Sequence, residues 1–302
     1  SGEPVMVAAP PERTELLRRG LTAAGVGDRV EEVAFVGPPA AVARRRAGPS
    51  SRISDGEGPA SPAAVVAAYR HLFDGHLRQG ATRLRLVGEV EPGLGPAEHL
   101  AWAQYEAAVG AAFDSTPVTI VCPYHLEVLP PAFVHRVRDA HRDTWGEGGG
   151  PNDGYAGPAS VLRSLRTGPM PVEGFPPALD LRIGPEVSIP REALRRVAGR
   201  AGLGPDRLDD LVLAFTEVAT NALVHGSSVA RAKVWASNGT VVCTITDSGP
   251  GIDDPLVGLL PPSPGNELDP GGLGLWVARQ LCDALDLIQG PEGMTVRLVV
   301  RR

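Results

Sequence analysis

The chain has 302 residues, 43% of them hydrophobic, and a formal net charge of −6. That length and apolar content suit two globular domains, and the acidic balance argues against nucleic acid as a partner, because phosphate backbones select basic faces. No apolar run approaches the ~20 residues that span a bilayer, no charged-then-apolar leader opens the chain, and the three cysteines, Cys122, Cys243 and Cys282, form no CxxC pair, which together predict a reduced, cytoplasmic protein away from the membrane.

Over residues 1–145 short apolar strands alternate with helices. Strands are predicted at Pro4–Ala9, Val33–Val36, Arg83–Val87 and Pro117–Cys122. Helices are predicted at Glu12–Ala24, Pro62–Gln79 (capped by Ser61), Ala97–Phe113 and Pro131–Arg142. The Arg-, Gly- and Ser-rich stretch 40–60 reads as a mobile loop. Alternation of this kind implies an α/β domain with a mostly parallel sheet covered by helices. Residues 146–178 are dense in Gly and Pro and read as a linker.

From Leu179 the pattern changes. A strand at Leu179–Ile183 and a helix at Ile189–Ala201 precede a long helix from Pro205 to about Val224. A hairpin, Val234–Ala236 with Val241–Thr246, turns across Asn238-Gly239. A long loop, a helix at Leu273–Ala284 and strands at Leu285–Ile288 and Thr295–Val300 complete the unit. This is an α+β sandwich, helices on one face of a largely antiparallel sheet.

Three segments of the second domain carry chemistry. On the long helix the apolar stripe runs through Leu208, Leu211, Val212, Phe215 and Val218, while Glu217, Asn221 and His225 share another face. A solvated polar face explains that row. So does a ledge on which an amide oxygen meets Mg²⁺ and a carboxylate takes a hydroxyl proton. Asp247 ends a strand ahead of Gly249 and Gly251, as in a tight turn or an adenine contact with close backbone approach. Gly271, Gly272 and Gly274 lead into a helix whose N-terminal N–H groups suit phosphate. The Pro-rich loop 252–270 between them reads as a lid. Lys233 is the only lysine, so no GxxxxGK[ST] phosphate loop exists.

In this order, Glu217-Val-Ala-Thr-Asn-Ala-Leu-Val-His-Gly226, Asp247-x-Gly-x-Gly251 and Gly271-Gly-Leu-Gly-Leu275 resemble the N box and two glycine boxes of the GHKL (HATPase_c, Bergerat-type) ATPases, in their anti-sigma-factor serine-kinase branch of RsbW and SpoIIAB type. The resemblance covers residues 179–302. It implies that ATP binds with Asp247 on adenine and Asn221 on the Mg²⁺ of the phosphates. Gly249, Gly251, Gly272 and Gly274 would shape the pocket, and Thr295 would support the adenine carboxylate. Glu217 would be the general base that activates a serine or threonine of an anti-anti-sigma (STAS) protein, with a sigma factor as the other partner and homodimerisation expected. Pro270 departs from the glycine many members carry. A nucleotide-binding switch without phosphotransfer is the alternative. The histidine-kinase branch is set aside, because none of the seven histidines is followed by Asp or Glu.

Residues 1–145 resemble the MEDS sensory domain through Gly2–Pro10, Gly88-Glu89, Ala97-Glu98, Tyr105-Glu106 and Cys122-Pro-Tyr-His125. The resemblance implies a sensor of a small ligand, here without the family's earlier strand and helix. Glu89 and Cys122–His125 fall at predicted strand ends, where open α/β sheets bind ligands. Cys122 and His125 alone are too few ligands for a metal site.

Overall fold

The computed structural model describes residues 3–9, 11–26, 33–36, 61–88, 96–145, 149–165, 168–261 and 270–302. The expected loop at 40–60, Glu89, and residues 262–269 of the expected lid lie outside them, as do the side chains of Glu98, Pro270 and Gly271. The chain separates into two compact units that part between Val161 and Leu162.

The first unit holds β1 (Val5–Ala8), α1 (Pro11–Leu21), β2 (Val33–Val36), α2 (Pro62–Arg78), β3 (Leu84–Gly88), α3 (Pro96–Phe113), β4 (Val118–Val121) and α4 (Pro131–Arg138). Its sheet has the order β2-β1-β3-β4 with every pair parallel, as the alternation predicts. Connections leave β1 in opposite directions, so the sheet has a topological switch point between β1 and β3. Met6, Leu84 and Leu86 sit in its core, with Tyr69 and Phe73 of α2 stacked nearby. Helix α4 stops at Arg138, four residues short of the expected end.

A polar cluster is built into this apolar unit. Glu106 of α3 is 3% exposed. Its Oε1 accepts Trp102 Nε1–H at 2.9 Å and the Tyr124 hydroxyl; Oε2 faces Cys122 Sγ at 3.3 Å and His141 Nε2 at 3.4 Å. Burial pushes Glu106 upward, but the contacts from His141, Tyr124 and Trp102 outweigh it and hold the carboxyl below its ordinary range. Burial depresses His141, yet the bond and charge of Glu106 raise it to about 9.

The expected linker is packed, not free. A two-residue ladder, β5 (Asp143–Thr144) with β6 (Gly150–Pro151), precedes α5 (Pro158–Ser164). Asn152 is 6% exposed and donates to the carbonyls of Arg138 and His141, each at 2.8 Å, so this segment pins the backbone that carries His141.

The second unit has β7 (Leu179–Ile183), α6 (Ser188–Arg200), α7 (Pro205–Asn221), β8 (Ala230–Ser237), β9 (Thr240–Asp247), α8 (Pro270–Leu281), β10 (Ala284–Gly290) and β11 (Gly293–Arg301). Its five strands run in the order β10-β11-β9-β8-β7, all antiparallel. The β8–β9 turn places Asn238 at φ 47° and Gly239 at φ 77°, as an Asn-Gly hairpin requires. Alternate residues of each strand (Cys243 and Ile245 on β9; Val296, Leu298 and Val300 on β11) meet Leu211, Phe215 and Val218 of α7 in one core. Arg207 ties the layer together. It donates to the carbonyls of Leu281 and Arg301 and pairs with Asp210 and Asp283, fixing the end of α8 against α7.

The opposite face of this sheet is covered by chain that reads as linker. Trp235, Val242 and Val299 pack with Met170 and Val172, and Trp235 Nε1–H donates to the Phe175 carbonyl at 2.8 Å. Arg297, 3% exposed, pairs with Glu173 at 2.8 Å and Asp286 at 2.9 Å and donates to the Gly168 carbonyl. An Arg297→Met chain leaves two carboxylates and a carbonyl without their donor. It is expected to lose about 2 kcal/mol of stability and to speed amide exchange over residues 168–175, which mass-spectrometric hydrogen exchange would read.

Candidate functional site

Helix α7 starts at Pro205, a residue that suits a first turn, and runs regularly to Asn221. There it widens into a π-turn over Ala222–Gly226, with Ser227 N–H bonding the Ala222 carbonyl at 2.9 Å. Such widened turns re-aim side chains and are frequent at functional sites. This one brings Gly226 against the end of β9: a Cβ on Gly226 would lie 2.2 Å from Asp247 Oδ1. A Cβ on Gly249 would lie 2.4 Å from Gly226 Cα. Asp247 Oδ1 in turn accepts the Gly249 N–H at 2.8 Å. From the other side Gly293, at φ 117°, leaves no room for a side chain, since its Cβ would stand 2.0 Å from the Asp247 carbonyl oxygen. Asp247 is thus seated among three glycines, of which the sequence pattern singles out only Gly249 for the site.

The seat opens into a cavity of ≈ 220 Å³ bordered by Asn221, His225, Asp247, Gly251 and Gly272, with an apolar lining that includes Val218, Ile252, Leu275 and Met294. Apolar walls with a few convergent polar groups describe small-molecule sites in general. Asn221 and Glu217 lie together one turn apart on α7. A Cβ on Gly274 would come within 3.0 Å of the Asn221 amide nitrogen and 2.9 Å of Glu217 Oε2, so Gly274 lets α8 approach both. Gly251 has φ 89° and lines the cavity. Gly272 lines it too, but nothing stands within 4 Å of its absent side chain.

Thr295 is a correction. Side chains alternate along a strand, and a shift of one residue reverses the face. Met294 is registered opposite Asp247 and borders the cavity. Thr295 lies on the far face with Arg297 and Val299, its hydroxyl 2.8 Å from that of Thr246. The position beside the Asp247 carboxylate therefore belongs to Met294, an apolar thioether that can fill a floor but supplies only a weak acceptor.

The expected lid also differs in its first part. Leu259 is 1% exposed, Ile252 and Val257 pack on the core, and Gly258 at φ 71° lets the chain touch the backbone of Leu275. Ile252 and Val257 of this stretch therefore form part of the cavity wall. Pro270 takes the first position of α8, where its missing N–H costs no intrahelical bond.

Cys243 and Cys282 are core residues; burial pushes the Cys243 thiol up to about 12 and the Cys282 thiol upward as well. Cys122 comes together with Glu106 and His141. Among the described residues no helix is long and apolar enough to cross a membrane.

Residues 186–300 match the family described as the histidine kinase-like ATPase domain. Residues 1–142 match the MEDS family, the methanogen/methylotroph, DcmR sensory domain. No curated protein matches the chain. Among solved structures, it is similar to the crystal structure of the RsbU and RsbW domains of Rv1364c from Mycobacterium tuberculosis, at 23% identity and a TM-score of 0.29, over 41% of this chain and 33% of that one. The chain thus spans about a third of that relative's length.

Proposed function

We propose that this chain, a MEDS domain joined to a histidine kinase-like ATPase domain, is a partner-switching regulator that binds Mg-ATP and phosphorylates a serine or threonine of an anti-anti-sigma (STAS) protein, so setting how much sigma factor is free. The observation that carries this reading is the convergence of Asp247 and Asn221 on one cavity over glycines whose side chains would collide with Asp247. The donor set fits the nucleotide: a carboxylate for an exocyclic amine, an amide oxygen for a hard cation, and apolar walls for a flat ring.

When bound, Mg-ATP supplies the phosphoryl group and the metal that neutralises its charge. Asp247 accepts a hydrogen bond from the adenine amine. Asn221 offers its amide oxygen to Mg²⁺. Glu217, one turn earlier on α7, takes the proton of the attacking hydroxyl. The first unit senses a small ligand, the active species is a homodimer, and the protein works in the cytoplasm.

Phosphotransfer to a STAS partner tests the assignment. Glu217→Gln is expected to keep Mg-ATP affinity and to lower transfer by about 100-fold or more. Transfer at the parental rate would remove Glu217 as the base. A parent that binds Mg-ATP yet never phosphorylates its partner is an ATP-gated binding module instead.

A further inference from the structure

Glu106 lies on α3, Cys122 directly follows β4 and His141 lies in the connection after α4, and their ligand atoms lie within 4.8 Å of one another; no other such group occurs among the described residues. From this geometry we propose that they form a divalent metal site of the zinc class, with one thiolate, one imidazole and one carboxylate as ligands.

Two of the three separations match those of a tetrahedral site, and the third, between the Cys122 and His141 atoms, is within 4.8 Å. Oxygen and nitrogen ligands each ~2.0 Å from zinc stand about 3.3 Å apart, and a sulfur at ~2.3 Å stands about 3.5 Å from such an oxygen. The structure has 3.4 Å from Glu106 Oε2 to His141 Nε2 and 3.3 Å from Oε2 to Cys122 Sγ. Both pairs share one carboxylate oxygen, as a metal bound through that oxygen requires.

The surroundings orient these atoms. Glu106 Oε1 is occupied by Trp102 and Tyr124, which leaves Oε2 for the site. His141 Nδ1 lies 2.7 Å from the Val137 carbonyl, which can only accept, so Nδ1 carries a proton. In the neutral ring that metal binding needs, the Nε2 lone pair would then face Oε2 and the thiol. A backbone carbonyl that fixes the histidine tautomer is the usual outer support of a metal ligand. Asn152 holds the His141 backbone from behind. Three protein ligands leave a fourth position, and all three residues border a cavity of ≈ 210 Å³. An open fourth position takes water or a small lone-pair donor.

Without a metal Glu106 and His141 stand as a paired carboxylate and imidazole, and Co²⁺ separates the two cases. The chelator-treated full chain is titrated with Co²⁺ and followed by absorption, then challenged with Zn²⁺. The expected result is one equivalent bound, a thiolate-to-cobalt charge-transfer band with tetrahedral visible bands, and displacement by Zn²⁺. Cys122→Ser and His141→Gln lower affinity by at least about 100-fold, the upper end of what loss of an outer-shell support alone does. Cys243→Ala keeps the band. Glu106→Gln, which preserves side-chain shape, serves where a ligand variant does not fold, and it too weakens binding. A parent chain that gives no charge-transfer band, or a folded Cys122→Ser chain that keeps it, overturns the site and leaves the ion pair.

Discussion

A Gly293→Ala chain is expected to lose on the order of 3 kcal/mol from its second unit, the scale of strained backbone combined with overpacking. Two causes act together. The residue has φ 117°, a region that L side chains rarely adopt, and the new Cβ would stand 2.0 Å from the Asp247 carbonyl oxygen and 2.8 Å from Ser248 Cα. Those atoms are backbone, so relief means displacing β9 from β11 at the register pair Met294–Asp247. Gly272→Ala is the counter-case. Nothing lies within 4 Å of the added methyl, and alanine is the better helix former by about 1 kcal/mol, so the stability of that chain stays at or above the parent's. Denaturant melts of the two variants beside the parent decide the matter. A loss at Gly293 no larger than at Gly272 would mean that the Asp247 seat is looser than its distances indicate.

The second large effect is on binding. Asp247→Asn is expected to weaken Mg-ATP by about 100-fold, the worth of a hydrogen bond to a charged group, while the fold survives. Asparagine keeps the shape and can keep the Oδ1 acceptor that takes the Gly249 N–H at 2.8 Å. Its other end becomes an amide donor, and a donor facing the adenine amine is a loss rather than a gap. Calorimetric titration measures the change. Unaltered affinity in a folded variant would remove Asp247 from adenine recognition and leave the cavity a different ligand.

Both effects turn on features that differ in how readable they are. The two sheets were visible in the chain: the alternation Val241–Thr246 and the Asn238-Gly239 turn carry local physics, and the pairs form as that physics requires. Asn221, Asp247 and Gly251 reach one cavity because each follows from the end of a regular element. Thr295 failed on parity. It stands one position from Met294, and without the register no sequence argument says which of the two faces inward. Gly226 and Gly293 acquire their roles only when the π-turn and β11 close on Asp247. The packed linker escaped because its Gly and Pro content is that of a tether, whereas Trp235 and Arg297 supply the surface it covers. The cluster of Glu106, Cys122 and His141 has no sequence spacing to betray it; sheet and helices bring together residues that are far apart in the chain.

Met294 on the cavity floor also gives the molecule an internal set of reporters. The chain has three methionines. Met6 is sealed in the first sheet and Met294 borders the Asp247 cavity, while Met170 packs behind the second sheet. Isotope labelling of the methionine methyls alone would give three NMR signals, one for each region, without altering a residue. Nucleotide should move the Met294 signal directly, and a ligand of the first unit should move Met6. A ligand of the first unit that also shifted Met294 would make communication between the units visible in a single spectrum.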